Sequence, residues 1–353
     1  MPAVEPPVLS RRALNRALLA RQHLLERARR GAWSTIEHLV AMQGQEPPSP
    51  HIGLWTRLEG FDPAELDALH TDRLVVRGWL MRTTLHTVAA DDYVAFRALF
   101  APVARRAFLG AFRRAVEGVD LDALAACARR LVEAEPRGTA AIGKALSARW
   151  PDVEPRVLGY AAGFLLPMVQ PPPRGLWGDR RRPVVTTAEA WLGRALDADP
   201  DPAPLVFRYL AAFGPATPAD FRAWCGLPGA ADLFARVAPR LRRFRDERGR
   251  ELFDVPGCPL PDPDTPAPVR YLPVFDNAIL AHDDRSRILA DGYPPRVADE
   301  PVLLVDGFAV ASWRVADGRV QVRPFAPVDP RHEPEIAAEG ERLAAFLATG
   351  AGG

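Results

Sequence analysis

Lysine is almost absent from this sequence, because Lys144 is the only lysine among 45 lysine and arginine residues. The arginines accompany abundant alanine, glycine and proline, a usage typical of a GC-rich genome, so arginine content alone says little about phosphate binding. The formal net charge is only +1. This balance argues against a protein that coats nucleic acid indiscriminately, and any nucleic-acid surface is expected to be local.

Cysteine is also scarce. Cys127, Cys225 and Cys258 are odd in number and lack the spacing of metal ligands, which predicts a reducing compartment and no disulfide framework. No apolar run approaches the ~20 residues of a membrane span, and the N-terminus lacks the pattern of a signal peptide. P-loop, dinucleotide and nucleophile-elbow motifs do not occur. We therefore expect a cytoplasmic protein with no membrane span, no metal and no cofactor.

The length of 353 residues, with 48% apolar and 25% charged residues, suits two or three compact units. Proline is in excess, and the six prolines within residues 256–268 predict a semi-rigid linker. Changes in pattern divide the chain into four predicted domains: 1–105, 106–200, 201–258 and 259–353.

The first third predicts several helices followed by a β-hairpin. Ser10 is the expected N-cap of an amphipathic helix over residues 9–30 with a basic outer face. Further helices follow, one of them opened by Asp62-Pro63. Residues 74–80 and 82–88 then read as two strands. This is the order of elements in a winged helix.

The same order occurs twice more. Helices over 138–150 and 154–169 precede a hairpin whose turn carries Arg180, Arg181 and Arg182. In the third copy, Thr217-Pro218 opens a short helix, a second helix follows, and a hairpin carries Arg242, Arg243 and Arg245. A single copy would be explained by a solvated hairpin with a charged tip. Three copies favour nucleic acid, with these arginines contacting phosphates.

Beyond the linker the hydrophobic period changes to two. Strands are predicted over 269–275, 301–305, 308–315 and 320–325, with Asp317-Gly318 as the turn between the last two. Residues 333–348 predict a closing amphipathic helix. This region therefore reads as a small β unit, which we expect to form a barrel.

Gln43-Gly44-Gln45 lies where a helical run breaks before Pro47 and Pro48. On an ideal helix the two glutamines would point about 200° apart, so both amides can reach one site only if the backbone leaves helical geometry. Gly44 is the residue expected to permit that departure. The alternative is a polar helix end whose amides cap free carbonyls, and the motif taken alone favours it.

Two other stretches concentrate polar residues between strands. In the first, alternation along a strand would put Arg82, Thr84 and His86 on one face. The second follows a predicted strand and carries Asp276, Asn277, His282, Asp284 and Arg285. For each histidine alone, a structural hydrogen bond is the favoured alternative to a catalytic role.

Six motifs are spread along nearly the whole chain. They are Leu9-Ser10-Arg11-Arg12, Gln43-Gly44-Gln45, Arg82-Thr83-Thr84-Leu85-His86, Phe213-Gly214-Pro215-Ala216-Thr217, Phe275-Asp276-Asn277 with His282-x-Asp284-Arg285, and Val305-Asp306-Gly307-Phe308. Together they resemble the winged-helix DNA glycosylases of the AlkZ and YcaQ type. The pair Gln43 and Gln45 is similar to the AlkZ-like branch, since the other branch has aspartate at the second position.

The resemblance implies an α+β fold of three tandem winged-helix modules around a small C-terminal β-barrel, C-shaped with a channel for duplex DNA. It implies a monomeric DNA glycosylase that hydrolyses the N-glycosidic bond of bulky N7-alkylguanines, including crosslinks, in repair or genotoxin self-resistance. Gln43 and Gln45 match the family's catalytic pair. The sequence departs from the family at Gly44, where an apolar side chain is preferred, and at Thr83, where glycine is common.

Two neutral amides are sufficient in principle for this reaction. An N7-alkylguanine is already cationic and can leave as a neutral base, without the carboxylic acid that ordinary glycosidases require. The amide carbonyls can then orient water and face the developing positive charge. Two alternatives stay open: a non-catalytic winged-helix regulator, and a protein that sequesters the free genotoxin.

Overall fold

The computed structural model describes residues 5–294 and 297–350. The helices are α1 Arg11–Arg21, α2 Ala32–His38, α3 Ser49–Arg57, α4 Pro63–Thr71, α5 Ala90–Phe96, α6 Ala101–Phe112, α7 Leu121–Ala134, α8 Thr139–Leu146, α9 Pro155–Leu165, α10 Ala188–Leu192, α11 Ala203–Phe213, α12 Pro218–Cys225, α13 Ala230–Val237, α14 Asn277–Leu280 and α15 Glu333–Ala348. The strands are β1 Val8–Leu9, β2 Met42–Gln43, β3 Val75–Trp79, β4 Leu85–Ala89, β5 Met168–Val169, β6 Thr186–Thr187, β7 Arg242–Asp246, β8 Glu251–Asp254, β9 Arg270–Leu272, β10 Val302–Val305, β11 Phe308–Ala316 and β12 Arg319–Pro324. No helix in these ranges has the length and apolarity to cross a membrane.

The chain forms two compact units, of which residues 64–201 are one. In this unit β4, β3, β5 and β6 lie side by side in an antiparallel sheet. Its core includes Phe108, Leu124 and Leu158, contributed by three different helices. Gly78 pairs with His86 across β3 and β4. A Cβ at Gly78 would lie 2.8 Å from the Tyr93 ring, so the close approach of that ring requires glycine.

Four helices of this unit, α5, α6, α7 and α10, were not predicted from the sequence. The start of α7 carries a clear local signal, because the Asp120 carboxylate accepts hydrogen bonds from the backbone N–H groups of Asp122 and Ala123, both at 3.0 Å. The predicted helices over 138–150 and 154–169 are present but shorter. They end at Leu146 and Leu165.

Residues 1–63 and 202–353 form the other unit. Ser10 caps α1 as predicted, its hydroxyl accepting from the N–H of Ala13 at 3.1 Å. The helix ends at Arg21, however, and does not continue to residue 30, because the chain turns at His23 with a positive φ of 55°.

The predicted basic outer face of α1 is wrong, since Arg16 and Arg21 are fully buried. Arg21 forms two hydrogen bonds to the buried carboxylate of Asp254, at 2.6 and 2.9 Å. Arg16 pairs with Asp306, which also accepts from Arg12 at 2.7 Å. Buried guanidinium groups require such partners, and these carboxylates lie more than two hundred residues away in the sequence.

The third predicted helix-helix-hairpin pattern is present as α12, α13 and the hairpin of β7 and β8. Thr217 and Asp220 form a full capping box at the start of α12, as the sequence predicted. Strand β1 extends this hairpin by pairing in parallel with β7. The division of the chain into four modules stays a prediction.

The C-terminal strands form a sheet in the order β12, β11, β10 and β9. The turn at Asp317 and Gly318 has positive φ at both residues, 51° and 71°, as its sequence predicts. The expected barrel is not closed in the described residues, since β9 and β12 remain at opposite edges. Helix α15, which matches the predicted range, contacts both edge strands.

Candidate functional site

The glutamine segment, residues 42–45, follows α2 after a sharp turn at Val40. The φ of Val40 is 66°, a conformation that β-branched residues rarely adopt. Met42 and Gln43 are extended. The departure from helical geometry therefore occurs before the motif. Gly44 itself does not adopt a positive φ. The expectation that Gly44 supplies the break is wrong.

The two glutamines differ in exposure. Gln43 is buried, with 8% of its surface exposed, whereas Gln45 is exposed. Gln43 lines a small cavity of about 10 Å³, close to the space that one water molecule needs. The cavity is also lined by Gln22, Met42, Arg57, Asp276 and Asn277.

A buried ion pair lies beside this cavity. Arg57 donates to both carboxylate oxygens of Asp276, at 2.8 and 2.7 Å. The side chains are 1% and 3% exposed. Arg57 also donates to the carbonyl of Gly53 at 3.0 Å and to Oε1 of Gln22 at 3.2 Å. The carboxylate of Asp276 caps α14 by accepting from the N–H of Ala278 at 2.8 Å. The pair thus joins α3 to the start of α14.

Asn277 ties the next element directly to the glutamine segment. Its Nδ2 donates to the carbonyl of Ala41 at 2.8 Å. Its Oδ1 is buried and has no hydrogen-bond partner among the described residues. Asp276 and Asn277, which the sequence singled out, therefore lie with Gln43 around one cavity. Asn277 also fixes the backbone just before the glutamine segment.

His282 belongs to a different environment. Its Nε2–H donates to the carbonyl of Phe213 at 3.0 Å, and its ring lies 6.4 Å from that of Tyr209. Burial, together with the charge of nearby Arg287, lowers the pKa of His282 to about 3. The imidazole is neutral near pH 7 and makes a structural contact.

Asp284 forms ion pairs with arginines of the β7–β8 turn, Arg248 at 3.0 Å and Arg250 at 2.7 Å. Burial opposes ionisation, but hydrogen bonds from Ser286 and these two arginines lower the pKa of Asp284 to about 2. Arg285 is half-buried. This motif thus anchors the hairpin, and its described contacts involve neither glutamine.

The stretch Arg82-Thr83-Thr84-Leu85-His86 lies in the other unit. Arg82 and Thr83 form a tight turn with φ of 53° and 58°, and β4 begins only at Leu85. Arg82 therefore does not share a strand face with Thr84 and His86, contrary to the predicted alternation. Left-handed backbone favours glycine, which explains why glycine suits the position of Thr83.

His86 is fully buried in β4, where its Nδ1–H donates to the carbonyl of Thr84 at 3.0 Å. Its Nε2 is buried with no partner among the described residues. Burial, aided by the charge of Arg82, lowers the pKa of His86 to about 3. The ring is neutral near pH 7.

The six arginines predicted to contact DNA are all exposed: Arg180, Arg181, Arg182, Arg242, Arg243 and Arg245. Two of them already have carboxylate partners, since Arg181 pairs with Asp179 at 2.5 Å and Arg243 with Glu251 at 3.0 Å. Arg242 lies over the Phe244 ring at 4.8 Å. The other arginines are better placed than Arg181 and Arg243 to meet a new anion.

Sequence reasoning missed Arg57 and Gln22, which line the same cavity as Gln43. One local signal was available for Arg57, because it is a charged residue at the end of a helix whose residues Ile52 and Leu54 are buried. Its partner Asp276 was identified only as one of several polar residues. Across the described ranges, no group of three His, Cys, Asp or Glu side chains is arranged to hold a metal ion.

The described residues form a mixed α+β fold, in which the glutamine segment lies beside a buried polar network. The chain belongs to the AlkZ-like DNA glycosylases, whose family model matches residues 36–346. The motif resemblance is thereby confirmed at the level of the family. The fold is similar to that of the Streptomyces sahachiroi DNA glycosylase AlkZ, with a TM-score of 0.72 at 19% identity, covering 98% of this chain and 97% of that one. None of the curated proteins matches.

Proposed function

We propose that this DNA glycosylase hydrolyses the N-glycosidic bond of bulky N7-alkylguanines in duplex DNA, with Gln43 and Gln45 as the catalytic pair. One observation carries the proposal: Gln43 lines a cavity of about one water's size, and Gln45 is exposed two residues away on the same segment. One amide can hold water while the other meets the DNA.

The chemistry needs no protonated side chain. As the bond between the sugar C1′ and the base nitrogen breaks, its electron pair neutralises the positive charge of the alkylated base. Water adds to C1′ and its proton passes to solvent. The glutamine carbonyls orient that water and face the positive sugar, a positioning and electrostatic role. Unmodified purines, which leave as anions, are then poor substrates.

We further propose a monofunctional enzyme that uses water as its nucleophile. Cleavage of the DNA strand through a Schiff base requires an amine. Lysine is the usual source of that amine, and Lys144 on α8 is the only lysine in the sequence. The scarcity of lysine supports hydrolysis alone.

In the proposed arrangement, three winged-helix modules form a C-shaped channel, and their hairpins hold the DNA backbone. The exposure of Arg180, Arg182, Arg242 and Arg245 supports phosphate contacts. The exposure of Gln45 supports an open site, in which a bulky adduct need not enter a closed pocket as small lesions do. Crosslinked guanines then fall within the substrate range, in repair or self-resistance.

The test is single-turnover release of an N7-alkylguanine from a defined duplex. Gln45→Ala and Gln43→Ala are each expected to slow release by about 10²–10³-fold, the loss typical of one electrostatic group, while DNA binding is retained. Glu46→Gln is the matched control, because it changes the neighbouring exposed carboxylate and should leave the rate unchanged. Release that survives in the double glutamine variant overturns the mechanism.

A further inference from the structure

A second strongly basic region lies on α6, outside the site and the hairpins described above. Between Asp92 and Glu117 the sequence contains five arginines and no acidic residue. The whole chain is nearly balanced, with 45 basic and 44 acidic residues. The excess of positive charge is therefore confined to this stretch of the chain.

Helix α6 separates apolar and basic residues onto two faces. Ala104 and Phe108 are buried in the core of the 64–201 unit. Arg105 and Arg106 are exposed on the opposite side, and Arg113 and Arg114 are exposed in the turn that follows the helix. We call these four residues the α6 arginine face. Positions 105, 106, 109 and 113 share one side of a helix at this spacing.

The α6 arginine face lines an open groove of about 910 Å³, whose floor includes Leu109, Gly110 and Phe112. A Cβ on Gly110 would meet nothing within 4 Å, so the groove is open above the last turn of the helix. Of the four arginines only Arg105 has a carboxylate partner among the described residues, Asp122 at 2.8 Å. At least three guanidinium groups face solvent without a counter-charge.

An aromatic side chain with a hydroxyl group adjoins the groove. Tyr160 of α9 is 39% exposed, and its ring centroid lies 5.8 Å from that of Phe112. Arg156 lies over the Tyr160 ring at 5.7 Å. The surface therefore combines exposed guanidinium groups with a tyrosine hydroxyl, the side chains that commonly contact phosphate and sugar in protein–DNA complexes.

We propose that the α6 arginine face, with Tyr160 beside it, is a further DNA-contacting surface that binds the sugar-phosphate backbone of duplex DNA. The proposal rests on the proposed function, which makes DNA the substrate. Guanidinium groups match phosphate oxygens in paired hydrogen bonds. Backbone contacts carry no base recognition, so this surface adds affinity without sequence preference.

The experiment measures binding of undamaged duplex DNA as a function of salt concentration. Since no base is released, the result does not depend on the glutamine mechanism. In the triple variant Arg106→Ala, Arg113→Ala and Arg114→Ala, the slope of log affinity against log salt is expected to fall by about 2–3, because each lost phosphate contact contributes about 0.9. The rate of base release at saturating DNA should be unchanged.

A charge-matched control removes three exposed arginines that already have carboxylate partners, Arg29, Arg194 and Arg323. If this control lowers the slope as much as the triple variant does, net charge alone explains the effect and the proposal is wrong. Tyr160→Phe keeps the ring and removes the hydroxyl, and it should weaken binding without changing thermal stability. Circular dichroism and thermal unfolding confirm that each variant is folded.

A competition experiment tests whether the α6 arginine face binds DNA or an acidic polypeptide. Poly-L-glutamate at matched charge is added to the protein–DNA complex, for both the native protein and the triple variant. The proposal expects poly-L-glutamate to displace the labelled duplex less well than unlabelled duplex of the same charge does. Stronger displacement by poly-L-glutamate than by the unlabelled duplex, with the difference lost in the triple variant, would assign the surface to an acidic polypeptide and overturn the proposal.

Discussion

The glutamine segment and the stretch of residues 82–86 both present polar side chains beside a strand, but they are held in different ways. The glutamine segment rests on side chains from distant parts of the chain: Asn277 holds the carbonyl of Ala41, and the Arg57–Asp276 pair lies beside the cavity. Residues 82–86 rest on local backbone, with two consecutive left-handed residues and a histidine that bonds two residues back.

The difference predicts how each region responds to substitution. A segment held by buried charges fails when one partner is removed, since the other is left uncompensated in a low-dielectric interior. A turn held by strained backbone responds to changes in conformational preference, which are smaller. A buried neutral histidine adds a response to acid.

The largest effect is expected for Asp276→Asn. This change keeps the size of the side chain but leaves the guanidinium of Arg57 buried without its counter-charge, at a cost of about 3–5 kcal/mol in the free energy of unfolding. Urea denaturation measures it. Glu59→Gln removes the carboxylate of an exposed pair with Arg29 and should cost far less, because water and salt screen charges at the surface. Equal losses in the two variants would contradict the role given to the buried pair.

Acid is expected to destabilise the unit that contains His86. The pKa of His86 is lowered to about 3 from an ordinary 6.5. Between these two values the imidazole is protonated in the unfolded chain but neutral in the folded chain. The free energy of unfolding is therefore unaffected by His86 above pH 6.5, and it falls by about 1.4 kcal/mol per pH unit as the pH drops towards 3. Denaturation midpoints between about pH 7 and 4 measure the slope, and His86→Gln should make it shallower. An unchanged slope would exclude His86 as its source.

Asn277→Ala is expected to have an intermediate effect on stability and a larger one on chemistry. It leaves the Ala41 carbonyl without the amide donor, which costs about 1–3 kcal/mol. On the proposed mechanism, base release should slow more than DNA binding weakens, because the segment that positions water loses its anchor. Gln321→Ala, which removes an exposed amide, is the control. Parallel losses of release and binding in Asn277→Ala would indicate a general structural role.

The smallest effect is expected for Thr83→Gly. Thr83 has a φ of 58°, which costs a non-glycine residue roughly 1–2 kcal/mol, while glycine loses about 0.5–1 kcal/mol more backbone entropy on folding. A net stabilisation of about 0.5–1 kcal/mol should appear as a higher melting temperature. Thr84→Gly is the matched control, since Thr84 is extended with a φ of −110° and should be destabilised. Destabilisation of both variants would show that the turn is unstrained.

The local signals in the sequence were sufficient for several elements. The capping box of α12, the Asp317-Gly318 turn and the range of α15 were all predicted, because each depends on residues only a few positions apart. The position of the glutamines after a helix was also predictable. The residue that turns the chain was not: Val40 adopts a left-handed φ that its own preference opposes, so the surrounding packing must impose it.

The sequence by itself thus determined the starts of α1 and α12, the Asp317-Gly318 turn, and the two glutamines together with their family. Tertiary structure alone decided where the charges lie. An amphipathic pattern cannot distinguish a solvent-exposed arginine from one in a buried ion pair. Arg16 and Arg21 are buried and form ion pairs with Asp306 and Asp254. It also decided that Arg57 and Asp276 meet beside Gln43. A buried charge is stable only with its partner, and such partners are brought together by the fold, not by their spacing in the chain.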